Sequence, residues 1–263
     1  MAIDKNSNSF TFLFAAVLVA VVGTLLAVAF LALKPAYEEN VRREKMQNIL
    51  ASMNVTVERD AAPARYQDLV KETVLIDAQG RPVQGDAFSL DVLKQYKDWK
   101  AGVLQAEDLK YPVYKANVEG KELYVLPVVG TGLWGPIWGY LSVQSDGRTV
   151  FGSVFDHKGE TPGLGAEIAT PYFTGQFPGK TITDEQGAYT GIKVYKGGTQ
   201  TTDPHGVDGI SGGTITSDGV NEMLLRTLAI YDKYLKTVTA PPAPPALAPA
   251  PTDSTITLSA LPQ

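Results

Sequence analysis

An uncharged apolar run near the N-terminus constrains this chain more than any other feature. Residues 10–33 read FTFLFAAVLVAVVGTLLAVAFLAL, which is 24 residues without a charge. As a helix this run would be about 36 Å long, enough to cross the hydrocarbon core of a bilayer. A signal peptide has a shorter apolar core and a small-residue cleavage site, and the residues that follow here, KPAYE, offer no such site. We therefore expect one transmembrane helix rather than a signal peptide or a buried core helix.

The composition excludes several classes of protein and site. The 263 residues include 23 Lys+Arg and 28 Asp+Glu, which gives a net charge of −5, with two histidines and no cysteine. Without cysteine the chain has no disulfides, thiolate-bound zinc, thiolate-bound iron–sulfur cluster or thiol nucleophile. With only His157 and His205 as imidazoles, no metal site is expected. The acidic balance and the lack of a basic cluster argue against nucleic acid as a partner.

Local composition divides the chain into five segments. The apolar run is followed by a charged, helix-favouring stretch, which predicts a stalk. Near the other end of the chain lies an Ala/Pro-rich tail, APPAPPALAPAP. This tail has nothing large to bury, so we expect it to be disordered. The predicted segments are a tail and membrane anchor (1–34), a helical stalk (35–60), an N-terminal part of the soluble domain (61–129), a C-terminal domain (130–239) and the disordered tail (240–263).

Six short runs have the residue preferences of strands, and turn signals separate them. The pair Asp146-Gly147 lies between two of these runs and is the best hairpin candidate. Strands joined by tight turns pair antiparallel, so we predict an α+β domain with a mostly antiparallel sheet behind the single membrane helix. The predicted strands are Thr73–Asp77, Tyr111–Asn117, Glu122–Val129, Ile137–Val143, Thr149–Phe155 and Gly191–Tyr195.

The most unusual stretch is a loop rich in glycine and hydroxyl residues that leads into the last predicted helix. Residues 208–217 read DGISGGTITS, and apolar residues then recur at helical spacing up to Lys236. Thr216, Ser217 and Asp218 are candidate N-caps for this helix. Backbone amides of such a loop, together with the helix dipole, favour an anion such as phosphate. The loop fits neither a P-loop nor a dinucleotide-binding fingerprint.

Three motifs in this part of the chain resemble one family. The pattern Asp-Gly-x-Ser-Gly-x-Thr at 208–214 resembles the flavinylation motif of membrane-anchored FMN-binding domains. The run GETPGLG at 159–165 resembles a second motif of that family. The run GLWG at 132–135, followed by Gly139-Tyr140, resembles a third. Together they cover about residues 130–236. The whole pattern is similar to the C subunits of sodium-translocating NADH:quinone reductases, with the G subunits of a related ion-translocating electron-transport complex as the nearest alternative.

The resemblance implies a flavin site with named residues. FMN would be attached covalently to Thr214 by a phosphodiester bond, and Gly213 stands where the family usually has alanine. Glu160 and Thr161 would hydrogen-bond the ribityl chain or the ring edge. Apart from the resemblance, His157 is expected to be a hydrogen-bonded loop residue and His205 a turn residue, and neither is given a role. Six further residues are expected at the cofactor because they belong to these motifs and could contact its phosphate or the faces of its ring. They are Ser211, Gly212, Leu133, Trp134, Leu164 and Gly165.

The function implied is that of an electron-carrier subunit of a sodium-translocating NADH:quinone reductase in the bacterial inner membrane. Its partners would be the other subunits and a flavin transferase, because an alcohol oxygen is a weak nucleophile without an external base. The family places the flavin domain in the periplasm, although Lys34, Arg42, Arg43 and Lys45 after the apolar run outnumber Lys5 before it, which favours a cytoplasmic domain. A cofactor-free, membrane-anchored adaptor is the alternative from a different class.

Overall fold

The N-terminal helix α1 (Asn8–Ser52) is continuous over 45 residues. The computed structural model describes residues 7–196 and 202–239, so the Ala/Pro-rich tail lies outside the described residues. Residues 11–42 are all exposed, which excludes the buried core helix, whereas Met46, Ile49 and Leu50 are buried against the domain. Pro35 lies inside the helix without ending it, and the helix continues through most of the segment predicted as a stalk.

A six-stranded antiparallel sheet forms the centre of the domain, in the order β2-β1-β3-β4-β5-β6. The predicted α+β class with mostly antiparallel pairing is confirmed. The hairpin at Asp146-Gly147 is also confirmed: Gly147 has a φ of +69° and its N–H donates to the Gln144 carbonyl at 2.9 Å. The strands are β1 (Val70–Ile76), β2 (Pro82–Val83), β3 (Tyr111–Val118), β4 (Lys121–Thr131), β5 (Pro136–Gln144) and β6 (Val150–His157).

Helices cover both faces of this sheet. The last helix, α5 (Thr214–Thr239), packs on one face, and the end of α1 packs on the other together with α2 (Ala62–Leu69). Because side chains alternate along a strand, Ile137 and Leu141 of β5 belong to the core under α5, whereas Tyr140 belongs to the core under α1.

Several elements differ from the sequence prediction. Helix α5 begins at Thr214, so Thr216 and Ser217 lie in its first turn, Asp218 follows that turn, and none of the three is the N-cap. Short elements without a clear period were not predicted, and the predicted boundary between residues 129 and 130 falls inside β4. The unpredicted elements are α2, β2, α3 (Val92–Lys100), α4 (Pro171–Thr174), and β8 (Gly206–Asp208), which pairs in parallel with β7 (Lys193–Tyr195).

The C-terminal part of α1 packs against β5 and β6. Burial raises the pKa of Tyr140 on β5, and the charge of Glu44 raises it further. The Ser142 hydroxyl donates to the Ser52 carbonyl at 2.5 Å. The turn that joins β4 to β5, between Thr131 and Pro136, forms one end of the sheet.

Candidate functional site

A cleft of about 180 Å³ opens at this end of the sheet, where the turn between β4 and β5, the loop after β6 and the start of α5 meet. Eight of the ten residues predicted from the sequence line it. The other two, Ser211 and Trp134, are exposed beside it. The lining residues are Leu133, Glu160, Thr161, Leu164, Gly165, Gly212, Gly213, Thr214, Ile215 and Thr216.

The loop before α5 is shaped for close approach to a ligand. Gly212 has a φ of +74°, which favours glycine, and a Cβ there would lie 2.6 Å from Leu164 Cδ2, so the leucine side chain would have to move. The Ser217 hydroxyl accepts from the Ile210 N–H at 2.9 Å and holds the loop against the helix. The Ser217 N–H donates to the Gly213 carbonyl at 2.9 Å. The amides of residues 214–216 precede this helical bond, and such first-turn N–H groups suit an anion.

Burial distinguishes the hydroxyl groups around the cleft. Thr216 and Ser217 are only 1% and 2% exposed, and both hydroxyls are hydrogen-bonded inside the protein. Ser211 and Thr214 are exposed, and of these two only Thr214 lines the cleft. Thr214 is therefore the hydroxyl that combines access from solvent with a place at the helix N-terminus.

Glu160 joins the three segments that form the cleft. It is only 4% exposed. Its Oε1 accepts from the Trp134 N–H at 2.8 Å, and its Oε2 accepts from the Thr216 hydroxyl. Its own N–H donates to His157 Nδ1 at 3.1 Å, so the histidine supports the loop. The Glu160 side chain therefore already accepts two hydrogen bonds from the protein, and its predicted hydrogen bond to a ligand stays a prediction.

Apolar side chains at the cleft remain exposed to an unusual degree. Leu133, Leu164 and Ile215 are 49%, 41% and 56% exposed. Trp134 is 68% exposed, and its indole N–H donates to Thr161 Oγ1 at 3.2 Å. Such side chains can cover the faces of a flat ring.

Sequence reasoning missed Ile215 and Thr216 as lining residues. The sequence analysis placed the start of α5 too late, with Thr216 as the first candidate N-cap. The helix begins two residues earlier, at Thr214, so Ile215 and Thr216 lie in its first turn next to Thr214 and line the cleft.

The residues present fit FMN. The helix start and the two glycines suit its phosphate, the exposed apolar residues suit its ring, and Thr161 offers a hydroxyl to its polar groups. His205, the second histidine, lies elsewhere, with Nδ1 2.7 Å from the Thr181 carbonyl. No cluster of three or more metal-ligating side chains occurs among residues 7–196 and 202–239.

Known proteins resemble the chain over most of its length. The FMN-binding domain family matches residues 132–229, which include every lining residue of the cleft. The C subunit of the Na(+)-translocating NADH-quinone reductase of Yersinia pestis is 34% identical over 239 residues, covering 84% of this chain and 90% of that protein.

Two solved structures share the fold. The crystal structure of the Na(+)-translocating NADH-quinone reductase C subunit from Parabacteroides distasonis has a TM-score of 0.69 and 44% identity, covering 77% of this chain and 96% of that one. The crystal structure of Shewanella oneidensis NqrC has a TM-score of 0.61 and 27% identity, covering 74% of this chain and 98% of that one.

Proposed function

Because the chain belongs to the family of Na⁺-translocating NADH-quinone reductase C subunits, we propose that it carries FMN covalently on Thr214 and relays electrons within that complex. Membership makes it a membrane-associated subunit of an oxidoreductase with an FMN-binding domain. The observation that carries the proposal is the position of Thr214, an exposed hydroxyl that lines the cleft at the first residue of α5.

Attachment needs a partner enzyme. Glu160, the buried acid of the cleft, bonds Thr216 and Trp134, and a threonine hydroxyl is a poor nucleophile at neutral pH. A flavin transferase would supply the base that takes the Thr214 proton. The Thr214 oxygen would then bond to the FMN phosphorus of FAD, the bond between this phosphorus and the bridging oxygen of the pyrophosphate would break, and AMP would leave. The single charge left on the phosphodiester is stabilised by the amides of residues 214–216.

The chain's own residues hold and shield the cofactor. FMN, when bound, supplies the electron transfer, and the protein fixes its position and surroundings. Leu133, Leu164 and Ile215, which are exposed in the cleft wall, would lie against the ring and exclude water from it, with the exposed Trp134 at the edge. Gly212 and Gly213 let the backbone approach the phosphate, Ser211 and Thr161 offer hydroxyls, and Gly165 leaves room for Glu160 and Thr216.

We further propose the electron route. Electrons originate at NADH on another subunit and arrive through iron–sulfur centres, which this cysteine-free chain cannot bind through thiolates. They leave towards a second covalent FMN and ubiquinone on other subunits. We place the cleft on the side of the domain that faces the membrane segment, because exchange with membrane-embedded partners requires it. Sodium export belongs to the assembly, since the apolar run of α1 contains no ionisable residue.

The flavin domain is proposed to lie in the periplasm, where the family's transferase works, despite the charge count around α1. The native chain has no cysteine. A single introduced cysteine is therefore the one thiol in this chain that a maleimide can label, and its labelling shows on which side of the membrane the domain lies. Glu122 is exposed at the turn between β3 and β4. In cells with a permeabilised outer membrane, Glu122→Cys should react with a membrane-impermeant maleimide. Reaction only after the inner membrane is lysed would contradict the orientation.

Substitution of Thr214 tests the attachment. Membranes from cells that contain a flavin transferase should give a band of this chain that fluoresces under ultraviolet light on a denaturing gel. Thr214→Ala should abolish this fluorescence while the protein remains folded, and Thr214→Ser, which keeps a hydroxyl, should restore part of it. A fluorescent Thr214→Ala band would exclude the assignment. A dark wild-type band would favour the cofactor-free adaptor.

The relatives named above are C subunits, which favours this family over the G subunits.

A further inference from the structure

Glu160 is a buried carboxylate with hydrogen bonds but no ion pair. It is 4% exposed and still forms part of the cleft wall. The ion pairs among residues 7–196 and 202–239 connect other side chains, and none includes Glu160. A charge held in such a place costs free energy, so a benefit to function has to be considered.

The space around this carboxylate is built from glycine backbone. A Cβ on Gly132 would lie 2.6 Å from Glu160 Oε1, and a Cβ on Gly165 would lie 2.5 Å from Oε2. The Trp134 N–H and the Thr216 hydroxyl then point at the two oxygens. The carboxylate is therefore held in one position and shielded from solvent, which preserves its electrostatic effect on a neighbour in the cleft.

Hydrogen bonding alone does not require an acid here. A glutamine at position 160 could accept from the Trp134 N–H through its oxygen and donate to the Thr216 oxygen through its amide. It would have nearly the same shape and would hold the same three segments together. What it would lack is the negative charge, so the two roles of Glu160 can be separated by experiment.

We propose that the fixed negative charge of Glu160 lowers the reduction potential of the flavin held in the cleft. This rests on the proposed function, because it assumes FMN at Thr214. Adding electrons beside a fixed negative charge is unfavourable, and burial limits screening by water and salt. With this charge the carrier gives up electrons to an acceptor more readily than it would with a neutral residue at position 160. Glu160 is thus a positioning residue for the cleft that also tunes the cofactor.

The test is a potentiometric titration of the flavin in the purified full-length chain, followed by absorbance. Glu160→Gln should shift the potential to more positive values. Glu160→Asp keeps the charge with a shorter side chain and should stay closer to the wild type than Glu160→Gln does.

Three results would overturn this inference. Equal potentials for the wild type and Glu160→Gln would show that the charge has no effect on the flavin. A positive shift of the same size in Glu160→Asp, which keeps the charge, would assign the effect to position rather than charge. A folded Glu160→Gln protein that retains no flavin would make the carboxylate a requirement for attachment. All three leave the proposed function intact, whereas a wild-type chain without covalent flavin would remove both.

Discussion

Gly213 precedes the proposed flavin attachment residue and stands where the resembled family usually has alanine. It has a negative φ, and an added Cβ would lie 3.1 Å from Ile210 Cγ2 and 3.2 Å from the Gly165 nitrogen. These contacts are tight but need shifts of only a few tenths of an ångström. Glycine is therefore compatible with the loop without being required by its backbone.

Gly213→Ala should take up flavin to the same extent as the wild type. The smaller entropy of the unfolded chain would stabilise the variant by about 0.4 to 1 kcal/mol, and the tight contact with Ile210 offsets part of this. The ratio of flavin absorbance to protein in the two purified chains measures the first effect, and thermal unfolding measures the second. Loss of flavin only in Gly213→Ala would show that the loop depends on glycine at this position.

Gly219 holds α5 against the end of β4. A Cβ at this position would lie 2.1 Å from the Thr131 carbonyl oxygen, and neither backbone can give way cheaply. Gly219→Ala should therefore destabilise the domain by about 1 to 3 kcal/mol through overpacking, more than the roughly 1 kcal/mol gained in helix propensity. It should also reduce flavin loading, because Thr214 lies on the same helix.

Gly159→Ala is the matched control for Gly219→Ala, since no heavy atom lies within 4 Å of a Cβ added at Gly159. Its unfolding temperature should stay close to that of the wild type. If Gly219→Ala unfolded at the same temperature as this control, the close approach of α5 to β4 would be disproved.

At the scale of elements, a helix or strand could be predicted when it was long enough for its apolar residues to repeat with a recognisable period. β3 to β6 were predictable because they are long, apolar and separated by turn residues, and α5 because Val220, Leu224 and Leu228 repeat at helical spacing. β2 has two residues and β8 has three, too few to show a period. The cleft residues were found through the family motifs, since glycines and single apolar residues carry little signal on their own.

The junction between α1 and the domain contains a half-buried lysine. Lys45 Nζ donates to the carbonyls of Phe88 and Leu90 at 2.5 and 3.0 Å. Burial lowers the pKa of Lys45 to about 8 from 10.5, although the carboxylates of Asp91 and Asp86 oppose the shift. The folded state therefore binds this proton less tightly than the unfolded state does.

Stability should rise with pH because of Lys45. Between about pH 8 and 10.5 the unfolded chain keeps the proton and the folded chain loses it, so this group favours folding by up to about 3 kcal/mol more at pH 10.5 than at pH 8. Lys45→Met removes this contribution. The difference in unfolding free energy between wild type and Lys45→Met should shift in favour of the wild type over that range, as measured by denaturant titration. A difference that is constant with pH would contradict the burial of the ammonium group.

At the scale of the whole molecule, the proposed exchange of electrons with membrane-embedded partners depends on which end of the domain faces the membrane. From Met46, the first buried residue of α1, back to Leu33 the helix covers about 20 Å. The electron route proposed above places the cleft on the side of the domain that faces this segment.

Single thiols on the cysteine-free chain measure this height. A fluorophore on Gly159→Cys, beside the cleft, should be quenched by headgroup-labelled lipid in vesicles more strongly than one on Glu122→Cys at the far end of the sheet. Both variants are made in the Thr214→Ala background, so that bound flavin does not quench the dye. Equal quenching, or stronger quenching of Glu122→Cys, would contradict the proposed direction of the cleft.

The central claim is that FMN is attached to Thr214, and peptide mass spectrometry of the natively expressed chain tests it most directly. Ser211, Thr214, Thr216 and Ser217 are close in sequence, so fragmentation has to locate the added mass on one hydroxyl. The account predicts the mass of FMN less one water on Thr214, with none on the buried Thr216 and Ser217. An unmodified peptide from cells with an active transferase, or the mass on Ser211, would contradict it.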